Sequence, residues 1–507
     1  MPRLRSKIAG METEVAGAMA PTLAEITSAL SFALDLTEGA VPGHALRCCL
    51  MGMRIGRELG FGDDELSDLY HALLLKDVGC SSNAARMCQI IGGGDDRLVK
   101  SGVKLEDWTK PHQPSLTALK LLWNQVLPHR GPVEKFGRIL HIAMTQHRNN
   151  QEMIQLRCDR GASIVRKIGL SEETAQAVRS LDEHWDGSGY PERAKETSIS
   201  PLARVMAVAQ HLDVFALERN PEHAMRALRE RSGHWFDPEV VKAAESLHRD
   251  GTLWMQCLPG DGADDQPAGT PTRAAVLDLA PTEIGRMSAS HIDLICEAFS
   301  EVVDAKSNFT FRHSIGVTNV AEAIGETMGL KPERKQLVHR AALLHDLGKL
   351  RVPNSILDKP SQLNPAEWAI MREHPALTAA ILRRVQQFDE LAYIAGAHHE
   401  KLDGSGYPNQ MRAEDLTIEA RILAVADIYG ALTEDRPYRN GCTPEQALRI
   451  MSSDAKGRLD ADCFAALTEV ADSVLRKSRA SNEANAACGI ATRATNFDPE
   501  TSISMAR

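Results

Sequence analysis

The residues able to do chemistry gather in the second half of the chain. Asp427 interrupts the apolar run "ILAVADIYGAL", so on a helix it would face the interior. A carboxylate buried there without a cation is strongly destabilising or takes up a proton, so something positive is expected to face it. His345 and Asp346 sit in "AALLHDLGK", which also reads as apolar helix. His398 and His399 follow "YIAGA", and His374 precedes a proline in "MREHPAL". Neutral imidazole and carboxylate are the ligand types that suit Mn, Fe, Co, Ni or Zn. With His313 the set is His313, His345, Asp346, His374, His398, His399 and Asp427, too many for one ion and suited to two sharing a bridging carboxylate. A lone helical histidine is more often a hydrogen-bonded core residue; the set together is the signal.

An internal repeat says which elements must position these groups. DGSGYP occurs at residues 186–191 and again at 403–408, and only the later copy follows a histidine pair. Gln210 lies 24 residues past Asp186, as Asp427 lies 24 past Asp403. His44 lies 33 before Asp77, as His313 lies 33 before Asp346. In this register His345 becomes Lys76, His374 becomes Arg157, His398 and His399 become Leu181 and Asp182, and Asp427 becomes Gln210. Only His44 and Asp77 survive. Protonated lysine and arginine are poor ligands and bring positive charge to the place of an ion. Lys76 or Arg157 is then placed to neutralise Asp77. The first half reads as the same module without its metal.

Apolar residues recur three and four apart in "HIDLICEAFSEVVDA" and "VTNVAEAIGETMGL", with no sustained β alternation, so the expected fold class is all-α: two tandem helical domains. The expected boundaries are 1–255, a linker at 256–284, a catalytic unit at 285–478 and a flexible tail at 479–507. Gly92 to Asp96 reads as a less ordered stretch. From Cys80 to Arg157 the first copy spans 77 positions against 25 from Lys349 to His374, an insertion of 52. It is a candidate surface for a homodimer or a partner, a solvated elaboration being the blander reading. The 507 residues are 43% hydrophobic and 25% charged, an ordinary globular composition. A net charge of −10 argues against binding long nucleic acid, and no apolar stretch suits a signal peptide or membrane span, so a cytoplasmic location is expected. The ten cysteines form no CxxC pair and read as reduced packing residues.

"TFRHSIGV", "HDLGK", "EHP", "HHEKLDGSGYP" and "VADIYGALTEDRPYR", in this order, resemble the HD-GYP group of the HD phosphohydrolases over roughly residues 285–475. The first half resembles a degenerate copy. The resemblance implies an all-helical fold with a two-metal centre, iron or manganese, hydrolysing cyclic dinucleotides, chiefly cyclic di-GMP, to the linear dinucleotide or GMP. Carried over, the seven residues above are the ligands and Asp346 is the bridge. Lys349 contacts the scissile phosphate, Arg436 and Arg439 help to hold the ligand's phosphates, and the Gly404–Pro408 turn lies beside the active site and is a candidate contact for a signalling protein. Phe309 stands where some members carry a third-metal glutamate, so two metals are expected. Thr378 replaces a common glycine.

Other motifs fail: "HHEKLD" lacks the second histidine of HExxH, Gly92 to Gly94 lack the GK[ST] of a P-loop, and "LDGSG" lacks the further acids of an EF-hand. A noncatalytic cyclic-dinucleotide receptor or scaffold is the alternative to a hydrolase.

Overall fold

The computed structural model describes residues 20–103, 116–128, 130–258, 270–282, 287–307, 313–359, 361–434, 440–454 and 457–487. Among them there is no β-strand, only isolated bridges at Ser232 to Phe236 and Asp403 to Arg412. The first half runs through α1 (Leu23–Glu38), α2 (His44–Glu58), α3 (Asp63–Leu75), α4 (Ala84–Ile91), α5 (Asp96–Val103), α6 (Leu116–Gln125), α7 (Pro132–Lys167), α8 (Glu172–Arg179), α9 (Pro201–Glu218), α10 (Pro221–Arg231) and α11 (Pro238–Arg249). There follow α12 (Thr270–Asp278), α13 (Ala289–Asp304), α14 (His313–Thr327), α15 (Pro332–Leu344), α16 (Asn354–Leu357), α17 (Pro365–Met371), α18 (His374–Leu382), α19 (Asp389–Gly396), α20 (Ile418–Thr433), α21 (Pro444–Asp454) and α22 (Ala461–Ala487). None of the described helices is long and apolar enough to cross a membrane.

Local chemistry sets the helix starts. Thr22 and Glu25 exchange side-chain to backbone hydrogen bonds at 3.1 and 2.8 Å, a capping box that opens α1. Proline occupies the first turn of α7, α9 and α15, where its missing N–H costs nothing. Thr417 caps α20, the helix that carries Asp427.

The packing repeats as the sequence does. In the second half α14 lies against α15 and α20; in the first, α2 lies against α3 and α9. The pair α18 and α19 is matched by the end of α7 with α8. One continuous apolar core joins both halves, from Ala24 to Val474. Within the expected linker, α12 is a packed helix: Val276 is buried, and Arg273 donates to the Ser28 hydroxyl at 3.2 Å. The segment expected as a flexible tail opens inside α22, which continues to Ala487.

The insertion builds a small core of its own from Ile91, Val99 and Val126, with Leu122, Ile139 and Ile142 packed on it. Here the reading of Gly92 to Asp96 as less ordered is corrected. The Leu127 N–H donates to the Ile91 carbonyl at 2.9 Å and the Asp95 N–H to Gln125 Oε1 at 2.9 Å, which folds the stretch into a compact turn. That turn delivers Asp96, fully buried, to the start of α5.

Candidate metal centre

Six of the seven expected ligands stand at helix ends. His313 opens α14 and His374 opens α18; His345 follows the last residue of α15, and Asp346 precedes the 3₁₀ turn Leu347–Arg351. His398 and His399 lie just past α19, and Asp427 alone sits inside a helix, α20. The expectation of an apolar helix running through His345 and Asp346 is therefore corrected. The chain tightens there because Gly348 presses on the backbone of His374, where a Cβ would lie 2.1 Å from the carbonyl oxygen. Thr378 latches this turn: its hydroxyl accepts the Gly348 N–H and donates to the His345 carbonyl, both at 2.9 Å.

Backbone carbonyls fix the imidazoles. Nδ1 of His345, His374 and His398 lies 2.7, 2.7 and 2.6 Å from the carbonyls of Ala342, Met371 and Ala395. A carbonyl only accepts, so Nδ1 carries the proton and Nε2 presents a lone pair to the centre. Two such lone pairs, on His374 and His398, face each other at 3.1 Å. Asp346 stands in the middle: Oδ1 is 3.4 Å from His374 Nε2 and 3.9 Å from His398 Nε2, while Oδ2 is 3.4 Å from His345 Nε2 and 3.6 Å from His313 Nε2. Asp427 completes the second side, with Oδ1 3.4 Å from His313 Nε2 and Oδ2 3.7 Å from His399 Nδ1. The donors thus fall into His374, His398 and His399 on one side and His313, His345 and Asp427 on the other.

This donor set fits divalent metal. Nε2 of His313 and His345 and Oδ1 of Asp346 are buried yet make no hydrogen bond, which is costly unless a cation fills the space between them. The charges agree. Burial works against ionising Asp346 and Asp427, but the imidazoles around both, with Lys349 beside Asp346, hold them well below the usual carboxylate range. Burial lowers His374 to about 3 and His398 to about 4. For His345 and His313, burial is outweighed by Asp346 and by Glu434, which push them up to about 10 and about 9. Two buried carboxylates thus draw protons onto two imidazoles, and divalent cations would supply that charge and leave both rings neutral as ligands.

Three supporting groups escaped the sequence reading. Glu434, past the end of α20, receives His313 Nδ1 at 2.7 Å; its only signal was its place two turns beyond Asp427. Asp304 accepts from the Ser314 hydroxyl at 2.8 Å and steadies the start of α14. Tyr407, in the Gly404–Pro408 turn, lies 4.8 Å from His399 ring to ring, with the Arg372 guanidinium 5.3 Å from the Tyr407 ring centre, so this turn does border the centre. Lys349 Nζ is 2.6 Å from Asp346 Oδ2. Arg436, Arg439 and Phe309 lie outside the described residues.

In the first half the same positions carry their own cations. Lys76 pairs with Asp77, and Arg157 with Asp182 while its charge is also felt by Asp77. His44 Nδ1 lies 2.6 Å from Asp213 Oδ2, and Arg47 forks onto the same carboxylate at 2.6 and 3.0 Å. Neither Arg47 nor Asp213 was marked by the repeat. The turns after the two centres match closely: Glu183 accepts the N–H groups of Glu192 and Ala194 at 2.7 and 3.0 Å, and Glu400 those of Asn409 and Met411 at 2.6 and 2.9 Å. A Cβ on Gly189 or Gly406 would lie 2.2 or 2.5 Å from backbone, so both turns require glycine.

A family profile described as HD domain matches residues 133–240 and 297–463. The chain is 40% identical over 450 residues to 3'3'-cGAMP-specific phosphodiesterase 3 of Vibrio cholerae, covering 88% of this chain and 94% of that protein. It is also 40% identical over 154 residues to the cyclic di-GMP phosphodiesterase response regulator RpfG of Xanthomonas campestris, over 30% of this chain and 40% of that one. The crystal structure of a cyclic GMP-AMP specific phosphodiesterase of V. cholerae (V-cGAP3) superimposes with a TM-score of 0.60 at 35% identity, covering 89% of this chain and 98% of that one.

Proposed function

Since this chain belongs to the HD-GYP group of the HD domain family, we propose that it is a metal-dependent phosphodiesterase of cyclic dinucleotides acting at the second-half centre. The observation that carries the reading is Asp346, held between two groups of inward-facing donors, with its own Oδ1 and the Nε2 atoms of His313 and His345 buried without hydrogen-bond partners. His374, His398 and His399 would hold one ion, His313, His345 and Asp427 a second, with Asp346 shared. Bound iron or manganese supplies Lewis acidity toward a phosphodiester and its attacking water.

The chain's own groups do the rest. Carbonyl contacts hold the rings of His345, His374 and His398 with Nε2 turned to the centre, so these donors are already oriented before the site is filled. Lys349, on the rim at Asp346, places its ammonium where negative charge gathers on a transferring phosphoryl group. Arg436 and Arg439 are assigned to the remaining phosphate oxygens. Residues 285–478 form the catalytic unit and 1–255 a metal-free unit that supports or regulates it, joined through 256–284.

For the substrate, 3'3'-cGAMP is the first reading, because the relative matched over 88% of this chain is named for it. Cyclic di-GMP, the expectation from the motifs alone, is the second, supported by relatives such as RpfG that match a shorter part. The test is chromatography of products from a panel of cyclic dinucleotides, using protein purified without oxygen and loaded with iron or manganese. Hydrolysis by wild type and none by Asp346→Ala is expected. Bound metal with no turnover of any member of the panel would replace the enzyme by a receptor.

A further inference from the structure

We propose that Asp96 and Arg97, contributed by the first-half insertion, are positioning residues for the Asp346–Lys349 turn of the second half. The inference rests on the phosphodiesterase reading and deepens it: the catalytic lysine is held in place by the first half.

Three of the five residues after Lys349 are tied through their backbone to groups outside the turn. The Leu350 carbonyl accepts from Lys306 Nζ at 2.8 Å, the Arg351 carbonyl from Arg97 Nη1 at 2.5 Å, and the Asn354 N–H donates to Asp96 Oδ1 at 3.1 Å. Two of these three bonds come from residues more than 250 positions away, in the insertion. The third depends on it as well. Lys306 is fully buried, burial lowers its pKa to about 8, and the charge that opposes this most is Asp96. Asn354, fully buried, closes the loop by donating from Nδ2 to the Lys306 carbonyl at 2.7 Å.

The insertion residues are themselves held rigidly. Arg97 forks onto Asp95 at 3.0 and 2.7 Å, which leaves Nη1 aimed at the Arg351 carbonyl. Asp96 faces Lys100 at 3.8 Å, and Lys100 donates to the Cys80 carbonyl at 3.1 Å. Cys80 is the first-half counterpart of Lys349 in the repeat. Helix α5 thus grips the equivalent turns of both halves at once.

Packing alone does not fix the catalytic turn. A cavity of about 150 Å³ lies against it, lined by Arg97, Gly348, Arg351, Ile370, His374 and Leu377. Thr378 secures the start of the turn and the insertion secures its end. The stakes are high because a displacement of about 1 Å at a catalytic group can cost about a hundredfold in rate.

The experiment uses the full chain with Arg97→Ala, Arg97→Lys and Asp96→Asn. Arg97 is partly exposed, so its alanine variant is expected to fold, which thermal melting would verify. Hydrogen exchange of the backbone over residues 347–356 should quicken by about tenfold in Arg97→Ala. Its kcat should fall by about tenfold with KM changed less than about twofold and metal content unchanged, as for a group whose placement matters in the transition state. Arg97→Lys, which still donates to the Arg351 carbonyl, should restore most of both. Asp96→Asn keeps an acceptor for Asn354 but uncovers Lys306, and should act in the same direction. Unchanged exchange in Arg97→Ala, or faster exchange with wild-type kcat, would overturn the inference. A wild type that hydrolyses no cyclic dinucleotide would instead defeat the functional reading, while exchange still tests the contact.

Discussion

The two halves answer one electrostatic problem in opposite ways. Each has a pair of buried carboxylates at its centre: Asp346 and Asp427 in the second half, Asp77 and Asp213 in the first. In the first half the chain brings its own cations, Lys76 to Asp77 and Arg47 to Asp213. In the second, imidazoles surround both carboxylates, with Lys349 the one lysine or arginine paired to either among the described residues. A fold that buries negative charge needs countercharge, and here it is either attached covalently or taken from solution. Even Gly430 fits this picture: it occupies the position of Asp213, and a Cβ there would meet Val317 at 3.0 Å beside the His313 ring.

The sharpest way to break the contrast is to remove the equivalent carboxylates. Asp346→Ala should lower turnover by about a thousandfold or more. Asp77→Ala should leave turnover per folded molecule within about threefold but cost about 3–5 kcal/mol in denaturant melts, since it strands the buried Lys76. Equal loss of turnover in both would end the distinction.

Asp213→Asn comes next, with a cost of about 3 kcal/mol from the unpaired Arg47 and His44. Burial works against ionising Asp213, but His44 and Arg47 hold its pKa below the ordinary carboxylate value. Its contribution is therefore present above the unfolded pKa and lost as pH falls through the folded one. Melts below pH about 4 should show a smaller acid-induced loss in the variant than in wild type.

A smaller effect sharpens the second half. Glu434→Gln keeps an acceptor for His313 Nδ1 but removes the charge, so metal affinity should weaken by about tenfold in a competitive chelator titration. The least effect comes from what both halves share. Glu183→Gln and Glu400→Gln should each cost about 1 kcal/mol in thermal melts, and by similar amounts, because each carboxylate ties two N–H groups of the same turn. Unequal losses would mean the second turn is also held by the centre beside it.

The convergence of the seven donors was legible because the repeat removed most of them together in the first copy, a pattern that packing alone would not produce. The all-helical architecture followed from spacing. The placement of donors at helix ends was not legible, because the tightening at Gly348 is imposed by the His374 backbone, remote in sequence. Arg47 and Asp213 were hidden for a related reason: their partnership spans 166 positions and has no counterpart in the second copy. Asp96 lay concealed in a glycine-rich stretch whose order comes from Gln125 and Leu127.

Helix α1 rests on α18 and on the turn that follows Asp346, and Phe32 on it lies 3.9 Å beneath the Arg384 guanidinium. On the far side, α7 clasps α13 through Lys167 and Glu301 at 2.8 Å. A fragment cut near residue 285 would therefore expose an oily flank where α1 had lain, and clumping in the test tube is its expected fate. The second half is thus no detachable cartridge: without the first, its flank would need another coat.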